Sequence, residues 1–174
     1  EGEVVKMLFV GGHADTKAKL ELYKSNTKQR DQDGGSFVEV EVPDFPAVFF
    51  PALTAIGGNR FVMTGGVNWN GTKFDQPSEN NAWLLKVVPI EGGDYVVGNK
   101  IGGLGVGRYF HAAQAPSDTL LTVVGGFTAS ATNALEPTAD VRFLYSTGED
   151  QYELRLPPET EDAFSTPRGG MASL

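Results

Sequence analysis

The sequence predicts an all-β protein assembled from repeated four-stranded antiparallel units. Three observations predict it. An apolar run ends in paired glycines three times, at Leu8-Phe9-Val10-Gly11-Gly12, Val62-Met63-Thr64-Gly65-Gly66 and Val123-Val124-Gly125-Gly126, with spacings of 54 and 60 residues. A second element precedes two of these runs in register, Phe50-Pro51-Ala52-Leu53 and Phe110-His111-Ala112-Ala113, so that Pro51 and His111 each stand 14 residues before the first glycine. No segment sustains a helical period; Thr16 to Lys24 comes nearest, and its Leu20 and Leu22 fit strand alternation equally well. One period carried by two independent features marks a repeat architecture.

The elements follow in order. Residues 1–46 form a first unit that lacks its opening strand: the glycine-terminated run leads through a polar loop to Leu20-Glu21-Leu22-Tyr23 and then to Ser36 through Val42. In that last run Val38, Val40 and Val42 alternate with Glu39 and Glu41, the period of a half-buried strand. Residues 47–106 form a second unit, with the opening strand at Phe50-Pro51-Ala52-Leu53, the run to Gly65-Gly66, then Trp83 to Val88 and Asp94 to Val97. Residues 107–165 repeat the scheme as Phe110 to Ala113, Thr119 to Gly126, Val141 to Tyr145 and Gln151 to Leu156. Residues 166–174 open a further unit, since Arg168-Gly169-Gly170-Met171-Ala172 stands 60 residues after Arg108-Tyr109-Phe110-His111-Ala112. Asp33-Gly34-Gly35, Gly92-Gly93-Asp94 and Pro157-Pro158 supply turns where the scheme needs them.

Composition narrows the function. An apolar content of 40% over 174 residues is enough for a buried core. The net charge of −8 repels phosphate backbones and anionic lipid, so nucleic acid is not an expected partner. No stretch has the ~20 apolar residues of a membrane-spanning helix, and membrane insertion is not expected. The absence of cysteine removes disulfides, thiolate metal sites and cysteine nucleophiles while leaving the compartment open. The sequon Asn70-Gly71-Thr72 leans toward secretion.

Four strands per unit, a glycine pair closing the second strand, an arginine and a histidine opening the first and an aromatic in the third together resemble the Kelch repeat. The match is fullest from Arg108-Tyr109-Phe110-His111-Ala112-Ala113 to Asp140-Val141-Arg142-Phe143-Leu144-Tyr145, whereas Pro51 stands where the family tends to have a small residue or histidine. The resemblance implies a β-propeller of four-stranded blades. About three blades are present, cut one strand out of phase, within a ring of about six or seven. The missing blades are expected from the same polypeptide, from another chain or from a second copy. Some secreted relatives are copper radical oxidases of the galactose oxidase kind, whose cofactor needs a cysteine cross-linked to a tyrosine, and this chain has no cysteine.

No catalytic residue, metal site or cofactor is assigned. Gly103-Leu104-Gly105-Val106-Gly107 places Arg108 where a nucleotide-binding fingerprint needs its third glycine, and a strand rather than a helix follows. His13 and His111 lie far apart in the repeat, and His111 at its framework position reads as a hydrogen-bonded structural residue. The expected binding residues are Asn68, Trp69, Asn70 and Phe74, two aromatics in a polar loop that are expensive to leave in water, with Arg108, Tyr109 and Arg168 at the starts of successive first strands. Arginine there serves either as a bidentate donor to an acidic partner group or as a tie between neighbouring units. The expected function is recognition of a protein partner or a glycan through inter-strand loops. The alternatives are a share in a secreted sugar-processing propeller enzyme and an architectural module of a large assembly.

Overall fold

The computed structural model describes residues 4–11, 20–26, 35–69, 72, 75–77, 81–91, 93–129, 134–148 and 150–155. Among them every regular element is a β-strand: β1 Val4–Val10, β2 Leu20–Asn26, β3 Ser36–Glu39, β4 Ala52–Gly57, β5 Arg60–Thr64, β6 Ala82–Ile90, β7 Gly93–Gly102, β8 Ala112–Ser117, β9 Leu120–Val124, β10 Phe127–Ala129, β11 Leu135–Pro137, β12 Val141–Gly148 and β13 Gln151–Arg155. The strands form a three-stranded sheet β1-β2-β3, a four-stranded sheet β4-β5-β6-β7 and a four-stranded sheet β8-β9-β12-β13, all antiparallel, with the β10–β11 hairpin inserted in the last. We refer to these as the first, second and third sheets. None of the described residues belongs to a helix long and apolar enough to cross a membrane.

The strands that sequence alternation predicts are present in each sheet, and two local expectations are corrected. The strand expected to run to Val42 ends at Glu39; Val40 still donates its amide to Leu20 O at 2.9 Å, and Val42 folds inward to a buried position. Gly98 of β7 accommodates it, since a Cβ there would lie 2.6 Å from Val42 Cγ1. The opening strands begin at Ala52 and Ala112 rather than at Phe50 and Phe110, because both phenylalanines take left-handed backbone angles, φ 56° and 51°, that break the extended run.

The second sheet is apolar on both faces, which is why its third strand reads as an almost unbroken hydrophobic run. Alternation sends Phe61, Met63, Trp83, Leu85 and Val87 toward the first sheet, where they pack with Leu8, Leu20 and Leu22. Val62, Ala82 and Leu84 point the other way and pack with Ala113, Leu121, Val123 and Leu144 of the third sheet. The same contact is thus made twice, head to tail. Thr54 Oγ1 donating to Ala113 O at 3.2 Å adds a polar tie between the second and third sheets. Between the first and second, Asp94 accepts from Lys6 at 2.8 Å and Lys24 at 2.7 Å, and these ammonium groups, Lys24 foremost, hold its carboxyl below the usual carboxylate range.

Among the described residues, each end of the stack has one face that no further sheet covers. On the first sheet the row Met7, Tyr23 and Phe37 faces outward, with Met7 and Phe37 exposed. On the third sheet Thr122, Val124, Phe143 and Tyr145 are only half-buried, and the Arg155 guanidinium lies 5.0 Å over the Tyr145 ring.

The glycine pairs permit close backbone approaches, Gly65 to the neighbouring third sheet and Gly126 within its own. Gly65 and Gly66 have φ of 63° and 97°, and Gly125 and Gly126 have 63° and 92°, angles open to glycine and strained for other residues. A Cβ on Gly126 would stand 2.7 Å from Tyr109 O and 2.8 Å from His111 Cβ. Gly126→Val should therefore lower stability by about 1–3 kcal/mol through strain alone, read as a shift of the denaturant midpoint. An unchanged midpoint would show that the close approach is not needed.

Candidate functional site

One end of the stack concentrates unusual chemistry, the end where β4 and β8 begin. The segments before those strands are related by 60 residues, and each pairs with the stretch just past a glycine pair: Phe49 bridges Val67 and Tyr109 bridges Phe127. Both bridges are reciprocal, with Phe49 N to Val67 O at 2.8 Å and its return at 2.9 Å, and Tyr109 N to Phe127 O at 3.2 Å and its return at 2.9 Å. One residue later the left-handed turn at Phe50 and at Phe110 swings each ring out of the strand direction. The two rings meet, with centroids 4.3 Å apart and planes at 29°. Tyr109 lies 5.2 Å from Phe110 and 5.8 Å from Phe127, so one aromatic cluster bridges the second and third sheets. Phe50 is 36% exposed and Phe110 is 40% exposed. Burial raises the Tyr109 hydroxyl above its ordinary pKa, keeping it neutral.

Beneath the cluster lies a buried polar frame. Arg108, 0% exposed, donates to Gly125 O at 3.1 Å, to Asp140 O at 3.2 Å and to the Asp140 carboxylate, which also accepts from Arg142 Nε at 2.5 Å. Its own carbonyl accepts from Gly66 N at 2.8 Å, joining the third sheet to the second. Burial pulls the Arg108 pKa below the usual arginine value, and the Asp140 carboxylate opposes that shift. His111 meets Thr64 Oγ1 through Nε2 at 2.8 Å, another tie between the same two sheets. Burial first, and the Arg108 charge second, depress His111 to about 3, so the ring is neutral at ordinary pH.

The residues expected from sequence are distributed unevenly over this end. Tyr109 is half-buried within the aromatic cluster. Arg108 is buried: its guanidinium bonds Gly125 and Asp140 within the third sheet, and it is its backbone carbonyl that reaches the second. Asn68 is exposed, its carbonyl accepting from Asp75 N at 2.9 Å, and Trp69 is half-buried in the segment that follows Val67. Asn70, Phe74 and Arg168 lie outside the described residues. Sequence reasoning missed Phe50 and Phe110 as exposed groups. The signal that could have found them is the next repeat, where the equivalent position is Gly170, the residue suited to a left-handed turn. Among the described residues no group of three or more His, Asp or Glu side chains is placed to hold a metal ion.

No family model matches the sequence, and no curated protein matches it. Solved structures do match, 34 chains in all, among them the structure of YjhT with a TM-score of 0.50 at 13% identity. The likeness is one of fold. It covers 92% of this chain and 51% of that one, so the chain spans about half the length of the YjhT structure.

The buried histidine gives a measurable pH dependence. A histidine titrates near 6.5 in the unfolded chain and near 3 in the fold, so its stabilising share is complete above about pH 6.5 and is lost as pH falls toward 3. His111→Gln should flatten the fall in stability between pH 7 and pH 4, measured by denaturant titration at each pH. Parallel profiles for the two proteins would assign the acid sensitivity elsewhere.

Proposed function

We propose that the chain is a segment of a Kelch-type β-propeller, three blades of a ring of about six or seven, acting as a scaffold that recognises a protein partner or a glycan. The observation that carries the architectural half is the head-to-tail contact made twice between sheets whose two faces are both apolar. Such sheets cannot cover themselves, and radial stacking of neighbours covers them. The open face of the third sheet, with Phe143 and Tyr145, corresponds to the covered face of the second, with Val62 and Leu84. It is complementary in kind to the Met7, Tyr23 and Phe37 face of the first sheet, so further blades or a second copy fit at both ends.

The observation that carries the recognition half is the exposed aromatic surface at the end where β4 and β8 begin, next to the loop that holds Trp69. Aromatic anchors in loops on a rigid frame are a common means of recognition.

Light scattering should give a mass above that of the 18.6 kDa monomer. Phe143→Glu should shift the population toward monomer without lowering the melting temperature. A well-folded monomer with both faces open would overturn the propeller reading. For recognition, a screen of immobilised peptides and glycans should yield binders that Trp69→Ala weakens by about 2 kcal/mol, roughly thirtyfold, with melting unchanged. Binders indifferent to Trp69 would remove that loop from the site.

A further inference from the structure

β3 ends at Glu39, and the path the chain takes from there forms a cavity. Val40 N still reaches Leu20 O at 2.9 Å, but Val42 then folds inward to a buried position against Gly98, and Phe45 N closes the turn on Val42 O at 3.2 Å. In a straight strand alternate residues point to opposite faces. Here the five consecutive residues from Glu39 to Pro43, together with Leu20 and Phe45, line one cavity of about 440 Å³. That volume falls within the range of small-molecule sites, roughly 300–1,000 Å³. The walls are held in place: Leu20 and Val42 belong to the buried cluster between the first and second sheets, and the Phe45 ring stands edge-on to Trp83 with centroids 5.3 Å apart. Val40 and Phe45 nonetheless stay half-buried and Pro43 is exposed, so apolar surface is left to line the cavity.

We infer that this cavity is a binding site for a small organic cation, a primary amine carried on a compact apolar body. Charge selects the ligand. Both titratable groups that line the cavity are carboxylates, and no lysine or arginine lines it. Glu39 already has an interaction of its own, whereas Glu41 is exposed and makes no ion pair with a described residue, so the charge offered to a ligand falls to Glu41. An ammonium group gains from that carboxylate while its apolar body covers Leu20, Val40 and Phe45. An anion of the same shape would be repelled by the two carboxylates, and a neutral molecule would gain nothing from them. A single lysine side chain of a partner protein would fill only part of the cavity, which favours a free small molecule as the occupant. The inference does not rest on the recognition reading above.

The test titrates three probes of similar shape into the full chain, 2-phenylethylamine, 2-phenylethanol and 3-phenylpropionate, and follows the backbone amide resonances by NMR. The amine should bind and shift the amides of Leu20, Glu41 and Phe45, the alcohol should bind severalfold more weakly, and the anion should not bind. Added salt should weaken the amine and leave the alcohol unchanged. Glu41→Gln should lower the affinity for the amine to that for the alcohol, with the melting temperature unchanged because Glu41 is exposed. Equal affinity for amine and alcohol in the unaltered chain, a preference for the amine that survives in the glutamine variant, or shifts confined to amides away from the cavity would each overturn the inference. Failure of all three probes to bind, while a lysine-bearing peptide shifts the same amides, would overturn the small-molecule class and assign the cavity to a protein partner.

Discussion

The stacking of the sheets depends on a backbone approach that only glycine permits. Gly65 donates its amide to Asn81 O of its own sheet at 2.6 Å, and Gly66 donates to Arg108 O of the next at 2.8 Å. Successive peptide groups therefore serve two different sheets, and the left-handed angles at both residues aim them apart. A Cβ at Gly65 would overlap Arg108 O, and one at Gly66 would reach within 2.9 Å of Val48 Cβ. With this distance fixed, Thr64 and His111 come within hydrogen-bonding range and the apolar faces close behind them. Gly125 and Gly126 repeat the device within the third sheet, where Gly125 N reaches Asp140 O and Thr138 N reaches Gly126 O.

Arg108 extends that arrangement into side-chain chemistry. An arginine enclosed without a carboxylate would be destabilising, and Asp140 supplies one from 32 residues away while Gly125 O and Asp140 O take further donors. The pair locks the turn leaving β9 to the start of β12, and so fixes the base on which the aromatic cluster stands. The aromatic rings gain a defined position without being part of the core.

Much of this was legible in the sequence. The glycine pairs, their period and the order of strands within each unit follow from local patterning, because alternation and turn chemistry act over a few residues. The turn at Phe50 and Phe110 was not legible, since an aromatic at the head of an apolar run reads as the start of a strand, while the left-handed angle comes just after long-range bridges made by the preceding residues, Phe49 to Val67 and Tyr109 to Phe127. The role of Arg108 was open at the level of sequence because Asp140 lies too far along the chain to be named as its partner. Val42 shows the same limit: alternation made it a strand residue, and Gly98 of another strand draws it out of line.

The contact between sheets is directional, and this has a consequence for assembly. Because the first and third sheets present unlike faces, Met7 and Phe37 at one end and Phe143 and Tyr145 at the other, copies joining through them add head to tail. Heterologous joints of this kind close only when the accumulated rotation returns to its start; otherwise they run on as open fibres. For copies joined in this way, the angle between neighbouring sheets is also a choice between a finite particle and polymerisation. A small change in that angle, even with every strand intact, would convert one outcome into the other.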